Sequence, residues 1–429
     1  MRFFIEPSLA SLAQYIPRFF TLVGEERWFK CVDQLNNAQL RSPFIRKIVS
    51  DYHWLEMALS YQSEILKHEG SLNVAHIDTP SRVALQFAGA VVEIHNRLGP
   101  RGRHTLEGRL IGATRAETGF AALFLELDLA CRLMDAGYDV DFPDLEGTDQ
   151  YDLVFRRGDV VCEIECKSLS ADAGRKIHRK DFYRFMEAIR PALTHRVGHF
   201  DVLVVSLRDR LSSTLVDQRQ LREDVIETLQ GKAPSEIVRA DYRLERNGFS
   251  ERLPNLKFGD EQAVYKECTN AFGPNLHISG TSASDGGCLL VMRSEKEDDT
   301  SKPLLEAMRK ASSQFSGNRP CFIAIQFQEI KPGELMLYHL RRRAGILSYA
   351  LFGQYGGSHV NSTYFCGYGA VIQRGNLLAT PGFSIPNPQP RFQISLDDAA
   401  PFLIGLTDEE YAIALGEPLP TANTSHLLF

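Results

Sequence analysis

The chain has 429 residues, of which 44% are hydrophobic and 24% charged, and its formal net charge is −6 at pH 7. This length predicts two or three domains, and the composition is that of a soluble globular protein without the roughly 18-residue apolar run of a membrane helix. The acidic balance argues against a protein that coats nucleic acid through bulk electrostatic attraction.

Residues 1–115 have the pattern of helices, because apolar residues recur mostly at spacings of three and four. Thr79-Pro80-Ser81 predicts the start of one of these helices. The N-terminal segment lacks the apolar core of a signal peptide, and the eight scattered cysteines contain no CxxC pair. We therefore expect a cytoplasmic protein with reduced cysteines and without a zinc ribbon.

Residues 116–210 have a different pattern, and we predict that they form one domain. GFAALFLELDLACRLMDAG predicts a helix that Gly137 ends, and YDVDF, YDLVF and VVCEIECKS predict three strands. A basic helix follows from about Arg175 to Leu193, and HFDVLVVSL predicts a buried strand. The predicted order is helix, three strands, helix, strand.

Residues 211–429 alternate predicted helices and strands, which indicates an α/β region. This region is either a separate domain or an extension of the preceding sheet through the apolar strand CFIAIQF. The hydrophobic pattern does not fix strand order, so both interpretations stay open.

The third strand, VVCEIECKS, carries charged side chains on one face. Because side chains alternate with period two, Glu163, Glu165 and Lys167 share a face, and the opposite face is apolar. By itself this pattern is typical of a solvated face, since the tripeptide ExK is common by chance. Two acidic residues elsewhere in the domain favour a binding site instead.

The first of these is Asp152, which opens the second strand. A hairpin turn at Gly158-Asp159 makes the second and third strands antiparallel, so that Asp152 is able to approach Glu165. Two carboxylates placed in this way form a hard oxygen site suited to Mg²⁺ or Mn²⁺. Asp149 is the rival, but it lies in the loop before the strand, where turn and capping roles are common.

The second is Glu126, in the helix that precedes the strands. Its neighbours three and four positions away, Ala122, Leu123, Leu129 and Ala130, are all apolar. The carboxylate therefore leaves the helix from the face that packs on the sheet, where an unpaired charge is costly. A salt bridge to a structural arginine is the alternative. We favour a role in an active site, because misplaced buried charge tends to mark function.

The sequence resembles the PD-(D/E)XK nuclease superfamily in three features. They are Glu126 on a helix, Asp152 at the start of one strand, and Glu165-Cys166-Lys167 on the next strand. The resemblance covers about Phe120 to Leu207, under a quarter of the chain, and includes the order of the predicted elements. Tyr151 stands where the superfamily motif has proline. The resemblance implies an α/β, restriction-endonuclease-like fold: a mixed sheet core flanked by helices, between a helical N-terminal and an α/β C-terminal region.

The same resemblance implies a metal-dependent phosphodiesterase that acts as an endonuclease. Asp152 and Glu165 would hold one or two Mg²⁺ (or Mn²⁺) ions with the backbone carbonyl of Cys166, and Glu126 would complete the shell of the metal or its water. Lys167 would orient the attacking water and stabilise the charge on the scissile phosphate. Beside Glu165 and a phosphate, we expect Lys167 to stay protonated.

The stretch after the third strand is basic, and we predict that it contacts nucleic acid. Lys176 and Lys180, and likewise Lys180 and Arg184, are one turn apart on a helix, which favours a phosphate-binding face. A solvated basic face is the alternative. The residues of the predicted contact are Arg175, Lys176, Arg179, Lys180 and Arg184.

We therefore expect a nuclease that acts on DNA rather than RNA. The flanking regions would select the substrate, hold a partner protein or form a homo-oligomer. The size of the chain favours a role in restriction or phage defence. An inactive scaffold of the same fold and an endonuclease directed at RNA or tRNA are the alternatives.

Overall fold

The computed structural model describes residues 9–72, 77–170, 172–193, 200–248, 253, 261–273, 275–283, 286–328, 335, 343–368, 372–374, 377–379 and 382–394. The fold class is mixed α/β, as expected. The chain forms two compact units; the first comprises Met1–Asn37, Val49–Ala171 and Ser301–Phe429, and the second comprises Ala38–Ile48 and Asp172–Thr300. Within the described ranges, none of the helices combines the length and apolarity needed to cross a bilayer.

The helices in chain order are α1 (Leu9–Val23), α2 (Glu25–Arg41), α3 (Pro43–Tyr52), α4 (Trp54–Glu69), α5 (Thr79–Arg97), α6 (Pro100–Ala113), α7 (Ala121–Asp135), α8 (Pro143–Glu146), α9 (Arg179–Leu193), α10 (Arg219–Leu229), α11 (Glu261–Phe272), α12 (Ser301–Ser312) and α13 (Arg343–Gln354). The predicted start of α5 is confirmed: Asp78 caps it by accepting the Ser81 N–H at 2.9 Å. The predicted end of α7 is confirmed by Gly137, whose φ is +89°.

The strands in chain order are β1 (Asp139–Asp141), β2 (Leu153–Arg157), β3 (Val160–Ser170), β4 (Phe200–Leu207), β5 (Glu236–Val238), β6 (Tyr242–Gly248), β7 (Leu276–Ala283), β8 (Gly286–Ser294), β9 (Cys321–Gln328), β10 (Val360–Gly367), β11 (Ile372–Arg374), β12 (Leu377–Ala379) and β13 (Gly382–Pro386). They form sheets of order β1-β2-β3-β9-β10-β13 and β5-β6-β4-β8-β7, and a β11-β12 pair.

Helices α1, α2, α4, α5 and α6 share one hydrophobic core with α7 and with one face of the six-stranded sheet. Aromatic side chains fill the centre: the ring centroids of Phe19 and Trp28 are 5.3 Å apart, and those of Trp28 and Phe120 are 5.6 Å apart. The core continues to Cys162, Ile164 and Cys166 on β3. Most of residues 1–115, expected as a helical N-terminal region, therefore share the hydrophobic core of this sheet, and α7 is the helix that packs on β1, β2 and β3.

The six-stranded sheet begins with an antiparallel meander of β1, β2 and β3, in which Leu153 pairs with Ile164. β3 then runs parallel to β9, and β9 runs parallel to β10. Helix α12 precedes β9, and α13 lies between β9 and β10 in the chain. Every residue of β9 is buried, which explains its continuous apolar sequence.

This arrangement differs from the predicted core of residues 116–210, in which the strand HFDVLVVSL follows β3 in the same sheet. That strand, β4, pairs with β6 and β8 instead, and the parallel neighbour of β3 is β9. The physical reason is that β4 and β9 are both uninterrupted apolar strands, and such a pattern does not specify a partner. Each of the two interpretations left open for residues 211–429 holds for part of this region: residues up to Thr300 belong to the second unit, whereas CFIAIQF extends the sheet that contains β3.

The second unit is built on the five-stranded sheet, with β4 and β8 parallel to each other. Helices α9 and α10 pack on this sheet through a core that includes Phe185 and Val225. In the chain, Asp172–Thr300 separates β3 from α12. Its two ends are fastened together, because the Asp299 N–H donates to the Gly174 carbonyl at 2.9 Å and the Lys176 N–H donates to the Asp298 carboxylate at 2.7 Å.

The loop between β1 and β2 is fastened to α6 in the first unit. The Glu146 carboxylate accepts the N–H of Gly99 at 2.6 Å and that of Gly102 at 3.3 Å, so it satisfies free donors at the start of the helix. Arg109 of α6 donates to Asp144 at 3.3 Å. These contacts restrain the loop that ends at Asp152.

We expect Glu146→Ala to lower the free energy of unfolding by about 1 kcal/mol, because two N–H groups of α6 lose a charged acceptor. Denaturant unfolding of the purified protein measures this change. Glu64→Ala, which removes an exposed acid within α4, is the matched control and should shift stability by less than about 0.5 kcal/mol. An unchanged midpoint for Glu146→Ala would show that the anchoring contact contributes nothing.

Candidate functional site

Asp152 lies where the sequence predicts it, beside Glu165. The pairing of Leu153 with Ile164 continues by one step to place Asp152 opposite Glu165, and the Asp152 carboxylate accepts the Cys166 N–H at 2.7 Å. The rival Asp149 is exposed and accepts a hydrogen bond from the Tyr151 hydroxyl at 2.9 Å. The hairpin therefore joins Asp152, not Asp149, to the strand that carries Glu165.

Glu165 and Lys167 share one face of β3 and contact each other. Glu165 is only 2% exposed, and the Lys167 ammonium donates to its Oε1. The same ammonium donates to Oε1 of Gln314 at 2.7 Å. The second oxygen of Glu165, Oε2, is buried and has no hydrogen-bond partner among the described residues.

Glu126 is buried on α7, as the sequence predicts, but its carboxylate is paired. Arg109 donates to its Oε1 at 2.5 Å, so the salt bridge considered as the alternative is present. Helix α7 packs on the face of β3 that carries Cys166, whereas Lys167 projects from the other face. Glu126 therefore reaches the site from the opposite side of the sheet.

The site concentrates more negative than positive charge among buried and partly buried side chains. Burial raises the pKa of Glu126 to about 7, and the negative charge of Asp152 adds to this shift. Burial, followed by the charge of Glu165, raises the pKa of Asp152 to about 7. Burial also raises the pKa of Glu165, although Lys167 opposes the shift. Three carboxyl groups thus face the two cations Arg109 and Lys167, and the excess is balanced by a proton or by a bound cation.

The donor set around Asp152 and Glu165 fits a hard divalent cation, because Oε2 of Glu165 is buried and has no hydrogen-bond partner among the described residues, although the Asp152 backbone N–H also acts on this carboxylate. Among the described residues, no three His, Cys, Asp or Glu side chains form a ready-made metal cluster. An ion here would therefore depend on two carboxylates, with water and substrate oxygens completing its shell, which is a common arrangement for Mg²⁺.

The basic stretch from Arg175 to Arg184 belongs to the second unit, and the prediction that its helix begins near Arg175 is wrong. Helix α9 begins at Arg179, so Lys176 precedes it and does not lie one helical turn from Lys180. The cause is the buried carboxylate of Asp172, which accepts the Arg179 N–H at 2.6 Å and fixes a turn before the helix.

The basic side chains of this stretch also have acidic neighbours in the second unit. Asp172 lies 3.7 Å from Arg175 and 3.7 Å from Arg179, and Asp209 lies 3.2 Å from Lys176. Arg184 is 3.8 Å from Asp181. These partners reduce the local positive charge, and nucleic-acid binding by this stretch stays a prediction.

Arg109 and Gln314 belong to the site but were not predicted from the sequence. Arg109 has only part of the feature that singled out Glu126: Leu106 and Ala113, three positions before and four after it, are apolar and buried, whereas Thr105 and Gly112 do not continue the pattern. Gln314 has no such feature, since it lies in a polar turn 147 positions from Lys167.

Comparisons with known proteins add no relatives to this description. No protein-family model matches the sequence, and no curated protein or solved structure is similar enough to match the chain. A function therefore has to be argued from the geometry and charge of the site.

We expect the metal-free protein to lose stability as the pH rises towards 8. The pKa values of Glu126 and Asp152 are raised to about 7, so the folded state binds more protons than the unfolded state between about pH 4 and pH 7. The free energy of unfolding therefore falls with rising pH in this window, by up to about 1.4 kcal/mol per pH unit for each proton.

Asp152→Asn removes one of the two groups and should flatten this pH dependence while it keeps an acceptor for the Cys166 N–H. Denaturant unfolding in a buffer with chelator, between about pH 5 and pH 8, measures the slope. Asp139→Asn, at an exposed position on β1, is the control and should leave the slope as it is. Identical slopes for Asp152→Asn and the unsubstituted protein would contradict the raised pKa.

Proposed function

We propose that the first unit is a metal-dependent nuclease that hydrolyses phosphodiester bonds, with DNA as the first substrate to test. The observation that carries the proposal is the convergence of Asp152, Glu165 and Lys167 on the β2–β3 hairpin, with a buried oxygen of Glu165 that accepts no hydrogen bond from the part of the chain that the structure describes. Structural ion pairs normally satisfy both carboxylate oxygens, whereas a metal site leaves oxygens available for an ion.

The arrangement of elements supports a restriction-endonuclease-like core within the first unit. Helix α7 packs on the meander of β1, β2 and β3, and β9 follows as a parallel neighbour after α12. In this interpretation Asp172–Thr300 is an insertion between β3 and α12, which explains why the chain segment that follows β3 does not complete the core.

The chain's own residues have distinct roles in the proposed reaction. Asp152 and Glu165 supply the carboxylate oxygens for Mg²⁺ or Mn²⁺, beside the Cys166 backbone, and the ion when bound supplies Lewis-acid activation of water and neutralises phosphate charge. Lys167 holds its ammonium beside Glu165, where it is placed to orient the nucleophile and to stabilise the negative charge that develops on the phosphate. Glu126 and Arg109 lie close enough to Asp152 for their charges to interact with its carboxylate.

A catalytically inactive scaffold is the second candidate, and one observation favours it. Glu126 is already paired with Arg109, so one of the acids expected to bind metal has a protein partner. An RNA- or tRNA-directed nuclease would use the same residues as a DNA nuclease, and a role in restriction or phage defence is compatible with either substrate.

We expect the purified protein to cleave nucleic acid in the presence of Mg²⁺ or Mn²⁺ and not in the presence of chelator. Asp152→Ala, Glu165→Ala and Lys167→Ala should each reduce the rate at least about 100-fold, because each removes a group that binds the ion or stabilises the transition-state charge. Duplex DNA, single-stranded DNA and RNA are compared in one gel assay.

Lys310→Ala on α12 is the matched control and should cleave at the unsubstituted rate, since Lys310 is exposed in the described structure. Cleavage that survives both Asp152→Ala and Lys167→Ala would show that the reaction occurs elsewhere. Absence of cleavage on all three substrates, with metal bound, would favour the scaffold.

We expect Mn²⁺ or Mg²⁺ to raise the melting temperature, and to raise it more at about pH 8 than at about pH 6. An ion at a concentration of 100 times its Kd stabilises the folded state by about 2.7 kcal/mol, and protons compete with it for the carboxylates whose pKa is raised. Thermal unfolding measures the shift. Asp152→Asn should lose it, whereas a shift of equal size in Asp152→Asn would place the ion at another site.

A further inference from the structure

The Lys167 ammonium is held by two acceptors from different parts of the chain. Glu165, two positions away on β3, accepts one of its protons, and Oε1 of Gln314 accepts another at 2.7 Å. An ammonium group has three N–H donors in a tetrahedral arrangement, so two fixed acceptors determine the direction of the third. Gln314 therefore fixes an orientation that Glu165 alone leaves free to rotate.

The amide of Gln314 is itself held in one orientation. Its Nε2 donates to the backbone carbonyl of Gln150 at 3.0 Å, which turns its oxygen towards Lys167. Gln150 lies two positions before Asp152 in the loop that α6 restrains. One side chain thus joins the ammonium of Lys167 to the loop that presents Asp152.

An uncharged acceptor has a specific advantage at this position. Glu165, Asp152 and Glu126 already place more negative than positive charge in the site, and another carboxylate would neutralise Lys167 and add repulsion. The Gln314 amide directs the ammonium without cancelling its charge. Gln314 therefore does not reduce the part of the Lys167 charge that the ion pair with Glu165 leaves available to a phosphate.

We infer that Gln314 is a positioning residue that aims the Lys167 ammonium at the substrate phosphate of the proposed nuclease reaction. The inference depends on the proposed function for its catalytic consequence, whereas the contact itself is a property of the folded chain. Gln314 acts through Lys167 and does not touch the reacting atoms.

Two measurements on the 429-residue chain test this role. The first is the rate at which an amine-acetylating reagent modifies Lys167, followed by mass spectrometry, which does not require nuclease activity. The second is the dependence of cleavage rate on substrate concentration. Gln314→Ala should increase acetylation of Lys167 several-fold and reduce kcat by about 10- to 100-fold with little change in KM, because a misdirected group affects the transition state more than binding.

Two further variants separate orientation from charge and from folding. Gln150→Ala removes an exposed side chain but keeps the backbone carbonyl that holds Gln314, so acetylation and kcat should match the unsubstituted protein. Gln314→Glu keeps an acceptor for Lys167 but adds negative charge, so acetylation should stay slow while kcat falls.

The acetylation rate and the cleavage rate test the inference separately. Unchanged acetylation of Lys167 in Gln314→Ala overturns the inference, whatever the cleavage rates are. Increased acetylation with an unchanged kcat shows that the contact exists but does not position a catalytic group, which also overturns it. Increased acetylation in a protein whose unsubstituted form cleaves no nucleic acid overturns the proposed nuclease function and leaves the contact itself established.

Discussion

The packing of three carboxyl groups near the start of β2 and the middle of β3, two of them buried and that of Asp152 partly buried, is the constraint on which the site depends. The charges of Asp152, Glu165 and Glu126 repel one another, and burial raises the pKa of each. The neighbouring elements supply the compensation. Helix α6 provides Arg109, β3 provides Lys167, and the chain after α12 provides Gln314. The two cations lower the cost of keeping the carboxylates close together without removing the excess of negative charge that favours a further cation, and Gln314 holds one of them, Lys167, in place.

The sequence predicts the part of the site that depends on local geometry. A tight turn makes β2 and β3 antiparallel, and the alternation of side chains with period two then places Asp152 opposite Glu165 and on the side of Lys167. The three- and four-residue spacing of a helix likewise places Glu126 on the buried face of α7, although this spacing does not identify the partner of the carboxylate. Arg109 lies 17 positions earlier in the chain, on another helix, and only packing brings it to Glu126. Periodicity contains no information on such pairings.

The strand beside β3 could not be predicted for a related reason. The sequence offers two apolar strands that each follow a helix, β4 after α9 and β9 after α12. Both are buried on two faces, so composition and pattern are equivalent. The nearer strand is favoured by chain distance, because short connections are the rule in α/β folds. Here the rule fails, because β4 completes a sheet of its own with β6 and β8.

A long chain segment between β3 and α12 is tolerable because the site is fixed by contacts on both sides of it. The hairpin supplies Asp152, Glu165 and Lys167 before the segment begins, and Gln314 joins them after it ends. The entropic cost of closing a loop rises only slowly with the length of the loop. The hydrogen bond between the Asp299 N–H and the Gly174 carbonyl lowers this cost, because it holds the two ends of the segment together. The β3–α12 connection therefore behaves as a short one, and the parallel pairing of β3 with β9 keeps its register although 150 residues separate Ser170 from Cys321.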